Sequence, residues 1–475
     1  MKTHRSSSEI AAYTLIAILC AIIGFVTMIV LTRTSSDVFF GKITKFITAS
    51  NVVMSFVCLG LDSAYIRFYF EPPENTNSKQ LAWKCMVPAF VILIFVSVVI
   101  TLLRNNSFLS LLIGGDGIVF AVAFVITVFS QFLNRFMTIY SRMSGNILRF
   151  SILSIAFVLL TKTIFIPIYH ITSNFENNIT YAATFLGAFM LVCFLFNKQH
   201  MIEHPNKNAR NFGQVYRYAF LSAPVIVVVY LNNYLPQVII SKNMGDGILG
   251  IYSAALLFCL AIQVLSTGFT TFWSPYMYKN YKTETNTIKQ IHDLVLFGSV
   301  FAMSLMLLFN DFIYLFIGEA FRKSQNILGM LLIYPIVIVI TETTAYGIDI
   351  KKKNEISLLI YIISTALNAF LCIALISKYG LAGVAFASMT SATIQMALLT
   401  YFGQKYYQSI NQIGRTLFHM FILILSAILF YFLYDNRIIF TIAQTAMLIV
   451  CLVYDKKVIL WSSRFLRPKK DERNN

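Results

Sequence analysis

Apolar residues in this chain recur neither at alternate positions nor on a single helical stripe. They run almost unbroken for about twenty residues at a time, as in IAAYTLIAILCAIIGFVTMIVL at 10–31. A membrane helix needs about 20 mostly apolar residues to cross the hydrocarbon layer. Segments of that kind lie near 10–31, 46–66, 85–103, 118–140, 150–169 and 179–196. After a polar stretch they resume near 215–240, 248–272, 294–309, 327–348, 357–376 and 382–402, with a final pair near 414–434 and 437–454. The pattern predicts an all-α polytopic membrane protein with about 14 transmembrane helices. Membrane barrels alternate apolar and polar residues in short strands, and these runs do not. The first run is too long for a signal-peptide core, and RTSSDVFFGK after it offers no small-residue cleavage site, so it reads as a retained span.

Composition agrees. Only 12% of the 475 residues are charged and 58% are hydrophobic, whereas soluble domains carry about 25% charged residues. A net charge of +17 suggests a nucleic-acid partner until the charges are located. With the amino terminus inside, 27 of the 37 Lys and Arg fall in cytoplasmic segments: the amino terminus, 67–84, 135–149, 198–217, 279–289, 351–353, 405–415 and the tail. Cytoplasmic loops of membrane proteins carry just such an excess. The charge therefore reports orientation, with both termini in the cytoplasm, and no nucleic acid is implied. Lys351, Lys352, Lys353 and RPKKDERNN read as topology signals and contacts with anionic membrane lipid. Seven cysteines are scattered singly with no C-x-x-C, and read as packing residues.

The first twelve spans behave as two sets of six. Span one begins near Ile10 and span seven near Gln214; span five begins near Arg149 and span eleven near Glu355, offsets close to 206 in both comparisons. SGNILRFSIL (144–153) also lines up with KNEISLLIYI (353–362), each with an Asn before an apolar helix. Repeats with an even number of spans are parallel, related by an axis along the membrane normal, and such pairs suit alternating access. The predicted organisation is an N-lobe at 1–197, a polar cytoplasmic linker at 198–213, a C-lobe at 214–408, and two further spans with a basic tail at 409–475.

Most short motifs dissolve on inspection. GDGILG (245–250) fits a dinucleotide pattern but follows no strand and sits in a turn, and GGDG (114–117) is likewise turn chemistry. His200 and His204 are four apart, yet lie in the solvated linker beside Pro205. No nucleophile elbow, zinc-protease helix or phosphate loop is present, so the reading is a transporter, not an enzyme, with no cofactor and no metal.

Ionisable groups inside apolar runs carry more information, because a mid-bilayer charge costs about 2.5–3.5 kcal/mol on insertion scales and marks a pathway by default. Lys162 lies within span five; its competing explanation is snorkelling toward the outer interface. Asp62 is buried within span two, and Arg67 ends it four residues before Glu71, where a helical ion pair is the alternative. Arg135 in span four and Glu342 in span ten stand at nearly matching depths in the two halves, so a latch between them is a rival to ligand binding. Span seven carries Asn232, Asn233, Tyr234, Pro236 and Gln237 together, a pattern that predicts a break lining a cavity.

GLDSAYIRFYFE (60–71), LGIYSAALLF (249–258), FWSPYMYKNY (272–281) and LNAFLCIALISKYGLAGVAFAS (367–388) resemble the polysaccharide-transporter branch of the multidrug/oligosaccharidyl-lipid/polysaccharide exporter superfamily. The similarity runs from span one to span twelve and includes the layout of six, six and two spans. The resemblance implies two six-helix lobes around a cavity, and a flippase that carries undecaprenyl-pyrophosphate-linked oligosaccharide repeat units outward for capsule, O-antigen or exopolysaccharide synthesis. It also implies a polysaccharide polymerase and glycosyltransferases as partners. An anionic pyrophosphate crossing hydrocarbon needs cations, and Arg67, Arg135, Lys162 and Arg217 are available, with Asn233 and Gln237 as cavity candidates. Asp62 and Glu342 are candidates for coupling or gating. Two alternatives remain: a multidrug/cation antiporter of the same superfamily, and a membrane-embedded polysaccharide polymerase.

Overall fold

The computed structural model describes residues 7–172, 174–204 and 211–465, and every regular element among them is helical. Twelve helices are long and apolar enough to cross a membrane, and one bent pair makes thirteen. The fourteenth span comes from Asn354–Tyr406, whose 53 residues would reach about 80 Å if straight, far beyond one bilayer. It is two helices meeting at Gly380, whose φ of 57° and ψ of −136° no helix tolerates. The last residues of the tail, 466–475, and 205–210 of the linker lie outside the described residues.

Contacts divide the chain into two compact units. The first comprises Met1–Ala254, Ile317–Phe321 and Cys372–Gly380. Its helices are α1 (Ser7–Thr34), α2 (Asp37–Cys58), α3 (Leu61–Phe68), α4 (Ser78–Leu102), α5 (Ser107–Ile113), α6 (Gly117–Met143) and α7 (Ile147–Val158). There follow α8 (Phe165–Ile171), α9 (Phe175–Met201) and α10 (Phe212–Met244). Polar residues punctuate the apolar runs. Ser36, Asn106, Asn146 and Asn174 cap the helices that follow them, and Asn77 with Gln80 forms a capping box at the start of α4. Phe46 packs edge-on against Phe120 and Phe124, and the ring of Tyr65 lies tilted against that of Phe136, all buried.

Two expectations about this unit need correction. Span two starts at Asp37 rather than near residue 46, because the helix takes in Lys45 and neutralises it. Lys45 is only 4% exposed, bonded to Asp246 at 3.1 Å and to Ser241 at 2.6 Å. Span seven, moreover, is not broken. Helix α10 runs continuously through Pro224 and Pro236; local backbone adjustment and neighbouring helices accommodate proline inside a membrane span. The break is in span two, where α2 and α3 meet at 59°. Leu59 and Gly60 there have φ of 40° and 74°, and a Cβ on Gly60 would lie 2.3 Å from the Ala219 carbonyl oxygen of α10.

The second unit comprises Ala255–Phe316, Arg322–Leu371 and Leu381–Asn475. It contains most of α11 (Asp246–Asn280), then α12 (Thr285–Leu308), α13 (Asn310–Tyr314), α14 (Leu328–Thr344), α15 (Tyr346–Ile350) and the greater part of α16 (Asn354–Tyr406). The extra pair is α17 (Ile413–Phe432) and α18 (Arg437–Tyr454), ending in the short α19 (Lys456–Phe465). A buried ionic network ties this pair to α12. Arg415 of α17 bridges Asp293 of α12 at 3.2 Å and also bonds Asp455, at the end of α18. Asp455 in turn accepts from His419 at 2.7 Å.

Burial alone would raise the Asp455 carboxyl, but hydrogen bonds from His419 and Arg415 outweigh it and hold the group below the ordinary carboxylate range. A depressed pKa stabilises the fold above the unfolded value, about 3.9, and that stabilisation is lost as pH falls through the folded value. At neutral pH it is therefore fully present. Asp455→Asn removes the charge while keeping the shape, and is expected to cost about 1–3 kcal/mol. Thermal unfolding in detergent at pH 7 checks this; an unchanged melting temperature would deny the network a structural role.

Candidate functional site

Two small cavities within the first unit hold three of the ionisable groups picked out from the sequence, Asp62, Arg135 and Lys162. One, of about 250 Å³, is lined by Asn51 and Ser55 of α2, Asp62 of α3, and Gln131, Asn134, Arg135 and Thr138 of α6, with Tyr230 of α10. The other, of about 160 Å³, is lined by Asn51, Thr127, Gln131, Thr161 and Lys162 among apolar side chains. Asn51, Gln131 and Phe157 border both, so the two cavities adjoin, and the polar side chains that line them make a strip inside an otherwise apolar bundle.

The break after α2 sets one end of the strip. It turns α3 so that Asp62, with 8% of its side chain exposed, meets Arg135. Arg135 Nε and Nη2 both donate to Oδ2 of Asp62, at 2.9 and 2.7 Å. The arginine is half exposed, and Oδ1 of Asp62 has no partner among the described residues. This pairing of spans two and four is invisible to sequence spacing.

Lys162 sets the other end. Between α7 and α8 the backbone widens into a π-helical turn, Leu159–Thr163, a local insertion often found at functional sites. Gly24 of α1 leaves room for the ammonium: a Cβ there would lie 2.7 Å from Lys162 Nζ. Lys162 is half-buried, and no carboxylate among the described residues pairs with it. Its neighbours are neutral: Thr163 shares a hydrogen bond with Thr27 at 3.1 Å, and Gln131 donates to Ser50 at 2.8 Å. An ammonium without a counterion in such surroundings is costly and attracts an anion. Besides Asp62 Oδ1, the strip presents two acceptors with no donor among the described residues, Gln131 Oε1 and Asn134 Oδ1. Cations and spare acceptors together suit a ligand carrying both phosphate and hydroxyl groups.

The other sequence candidates lie apart from the strip. Arg67 pairs with Glu71 one turn on, at 3.4 Å, with side chains 55% and 78% exposed, a geometry worth little because water screens it. Arg217 is exposed on α10. Asn233 is exposed and donates to the Val229 carbonyl, whereas Gln237 is buried and donates to the Asn233 carbonyl. Glu342 belongs to α14 of the second unit, half-buried, its backbone carbonyl accepting from Trp273. His200 and His204 belong to no cluster of possible metal ligands among the described residues.

Sequence reasoning missed Lys45 with Asp246, and the neutral members Asn51 and Gln131. Lys45 sits where an apolar run begins and looks like a flanking charge; its partner is 201 residues away. Amide and hydroxyl side chains within apolar runs are too common to stand out.

Among solved structures, the fold is similar to the lipid II flippase MurJ in an inward closed conformation, with a TM-score of 0.68 and 16% identity over 94% of this chain and 99% of that one. It is also similar to the MATE multidrug transporter DinF-BH (0.62, 13%, 84% and 96%). An inward-facing multidrug resistance MATE transporter of the MOP superfamily gives a TM-score of 0.59, with 13% identity, 81% and 94% covered. At these identities the likeness concerns the fold. No curated protein matches the chain. The sequence profile described as "Polysaccharide biosynthesis protein" matches residues 7–281, more than half of the chain, and the protein with its fourteen membrane helices and its strip of unneutralised polar groups belongs to that family.

Proposed function

We propose that the protein is a flippase that moves undecaprenyl-pyrophosphate-linked oligosaccharide from the inner to the outer leaflet of the bacterial cytoplasmic membrane by alternating access. Both termini lie in the cytoplasm. Lys162 carries this reading: an ammonium inside a membrane span, without a carboxylate partner among the described residues, beside amides and hydroxyls, is suited to an anionic headgroup. Arg135 stands nearer the cytoplasmic end of the same strip, half exposed, where it can meet the pyrophosphate first. The unpaired acceptors of Gln131 and Asn134 would take hydroxyls of the first sugar. Membership of a polysaccharide-biosynthesis family supports the glycan, and the similarity to a lipid II flippase supports a polyprenyl carrier.

In this orientation the Lys45–Asp246 pair lies toward the outer ends of α2, α10 and α11. There a Cβ on Gly41 would lie 1.9 Å from the Asp246 carbonyl oxygen, and one on Gly250 2.1 Å from that of Asp37. We read this close crossing, locked by a buried ion pair, as an outer latch that opens to release cargo.

The second reading, a cation-coupled antiporter, draws on Glu342, a half-buried carboxylate with no ion pair among the described residues. Asp62 speaks against it, being already engaged by Arg135. Proteoliposomes separate the two. A labelled undecaprenyl-pyrophosphate glycan should reach the outer leaflet at least about tenfold faster with the protein than without. Extrusion of a cationic dye without lipid movement would favour the antiporter. Reporter fusions at Asn475 and between Lys198 and His204 should both report cytoplasm, and an external signal from either would break the proposed orientation.

A further inference from the structure

The first unit holds another cavity, of about 610 Å³, that the headgroup strip does not use. It lies where α2, α6 and α9 begin, at the outer end in the orientation proposed above, on which this inference rests. The GGDG turn forms part of its wall: Gly114, at φ 96°, and Gly115 border the cavity, and a Cβ on Gly114 would lie 3.1 Å from Cε of Lys45 in the latch.

Three rings and three charges meet there. Phe39 packs on Tyr169 with centroids 4.5 Å apart and edge-on to Phe175 at 5.8 Å. Lys42 Nζ lies over the Phe175 ring, 5.2 Å from its centroid. Asp116 precedes the first residue of α6 but makes no capping hydrogen bond, and Glu176 lies in the first turn of α9. No ion pair joins any of these charges to another described residue. Acidic residues at helix starts are favoured by the helix dipole, which accounts for Asp116 and Glu176 individually. It does not account for a lysine one turn from the latch, a cluster of aromatic rings and a cavity of small-molecule size at the same place.

We propose that this pocket binds a saccharide of the cargo at the outer face. The two carboxylates would accept from ring hydroxyls, Lys42 would donate to a sugar oxygen, and the aromatic rings would pack against the apolar C–H face of a pyranose. Because Gly114 lies so near the Lys45 side chain that a Cβ there would crowd it, an occupied pocket bears directly on the latch. Binding the glycan here would give the emerging sugars a foothold while the pyrophosphate is still held at Lys162.

The test needs no knowledge of the sugar. Benzoylphenylalanine is placed at Tyr169 in the full-length protein in its own host. After irradiation, the purified protein is treated with periodate and hydrazide, which detect attached vicinal diols. Glycan label at 169 should exceed that at Val119, exposed on the first turn of α6, by at least about tenfold. It should fall at least about tenfold in Asp116→Asn with Glu176→Gln, while label from the same probe at Phe157, beside the headgroup strip, persists. Label at 157 without label at 169 would overturn the pocket and leave the flippase standing. Label at neither position would overturn both. Undiminished label in the double variant would remove the carboxylates from the site. Label at 169 persisting in cells unable to prime the lipid-linked glycan would identify a free sugar and overturn the assignment to cargo.

Discussion

Lys162→Gln is expected to lower export about 10–100-fold, the effect of losing one hydrogen bond to a charged group, worth about 1.5–3 kcal/mol. The same change should leave the protein at least as stable, because it removes a membrane charge that costs about 2.5–3.5 kcal/mol. Activity and stability moving in opposite directions is the signature of a group retained for function. A structural lysine would lower both. Lys162→Arg should keep part of the export, since the guanidinium preserves the charge but must fit beside Gly24. A cysteine at 162, on a background free of the seven native cysteines, should react with a small water-soluble thiol reagent. Failure to react, together with normal export by Lys162→Gln, would remove the residue from the mechanism and with it the observation on which the proposed function chiefly stands.

Arg135→Ala should destabilise the protein by about 3–5 kcal/mol, because it leaves the Asp62 carboxylate buried and without its partner. Replacing both, Arg135→Met with Asp62→Leu, should restore most of that stability, since two apolar side chains of similar volume often serve as well as a buried ion pair. Export separates the roles. If the guanidinium receives the pyrophosphate as well as holding Asp62, the double variant will fold with a near-native melting temperature and fail to export. Arg135→Lys, which offers a point charge in place of a planar fork, should then export at an intermediate rate. Full export by the double variant would make the pair purely architectural. In that case Lys162 would be the cation left on the strip.

The architecture was legible because hydrocarbon leaves a chain few options. Every backbone polar group must be satisfied within the segment, so a long apolar run in a chain this poor in charge is a helix of known length. Its ends are marked by Asn and Ser caps such as Asn77 and Asn146. Local rules did not locate the break in the right span. Asn233 and Pro236 suggested α10, yet that helix stays whole. The bend comes at Leu59–Gly60, where the backbone of α10 approaches so closely that a Cβ on Gly60 would collide with it, a requirement set by a neighbour some 160 residues further along the chain.

The site divides along the same line. Charges within apolar runs announce themselves, and Lys162, Asp62 and Arg135 were readable as candidates for that reason alone. Asp62 and Arg135 prove to be one ion pair, Arg67 a solvent-screened one, and Lys162 a cation among neutral groups; these distinctions depend on distances across helices. Asn51 and Gln131 enter the strip through position and not through type, and Lys45 changes from a flanking charge to one half of a buried ion pair once Asp246 is beside it. The sequence by itself determined what solvent the chain must meet, and so its helices, because hydropathy acts residue by residue. Which of its charges are neutralised, and which are left for a ligand, only the tertiary structure decided, because electrostatic energy depends on the separation of groups that the chain brings together from far apart.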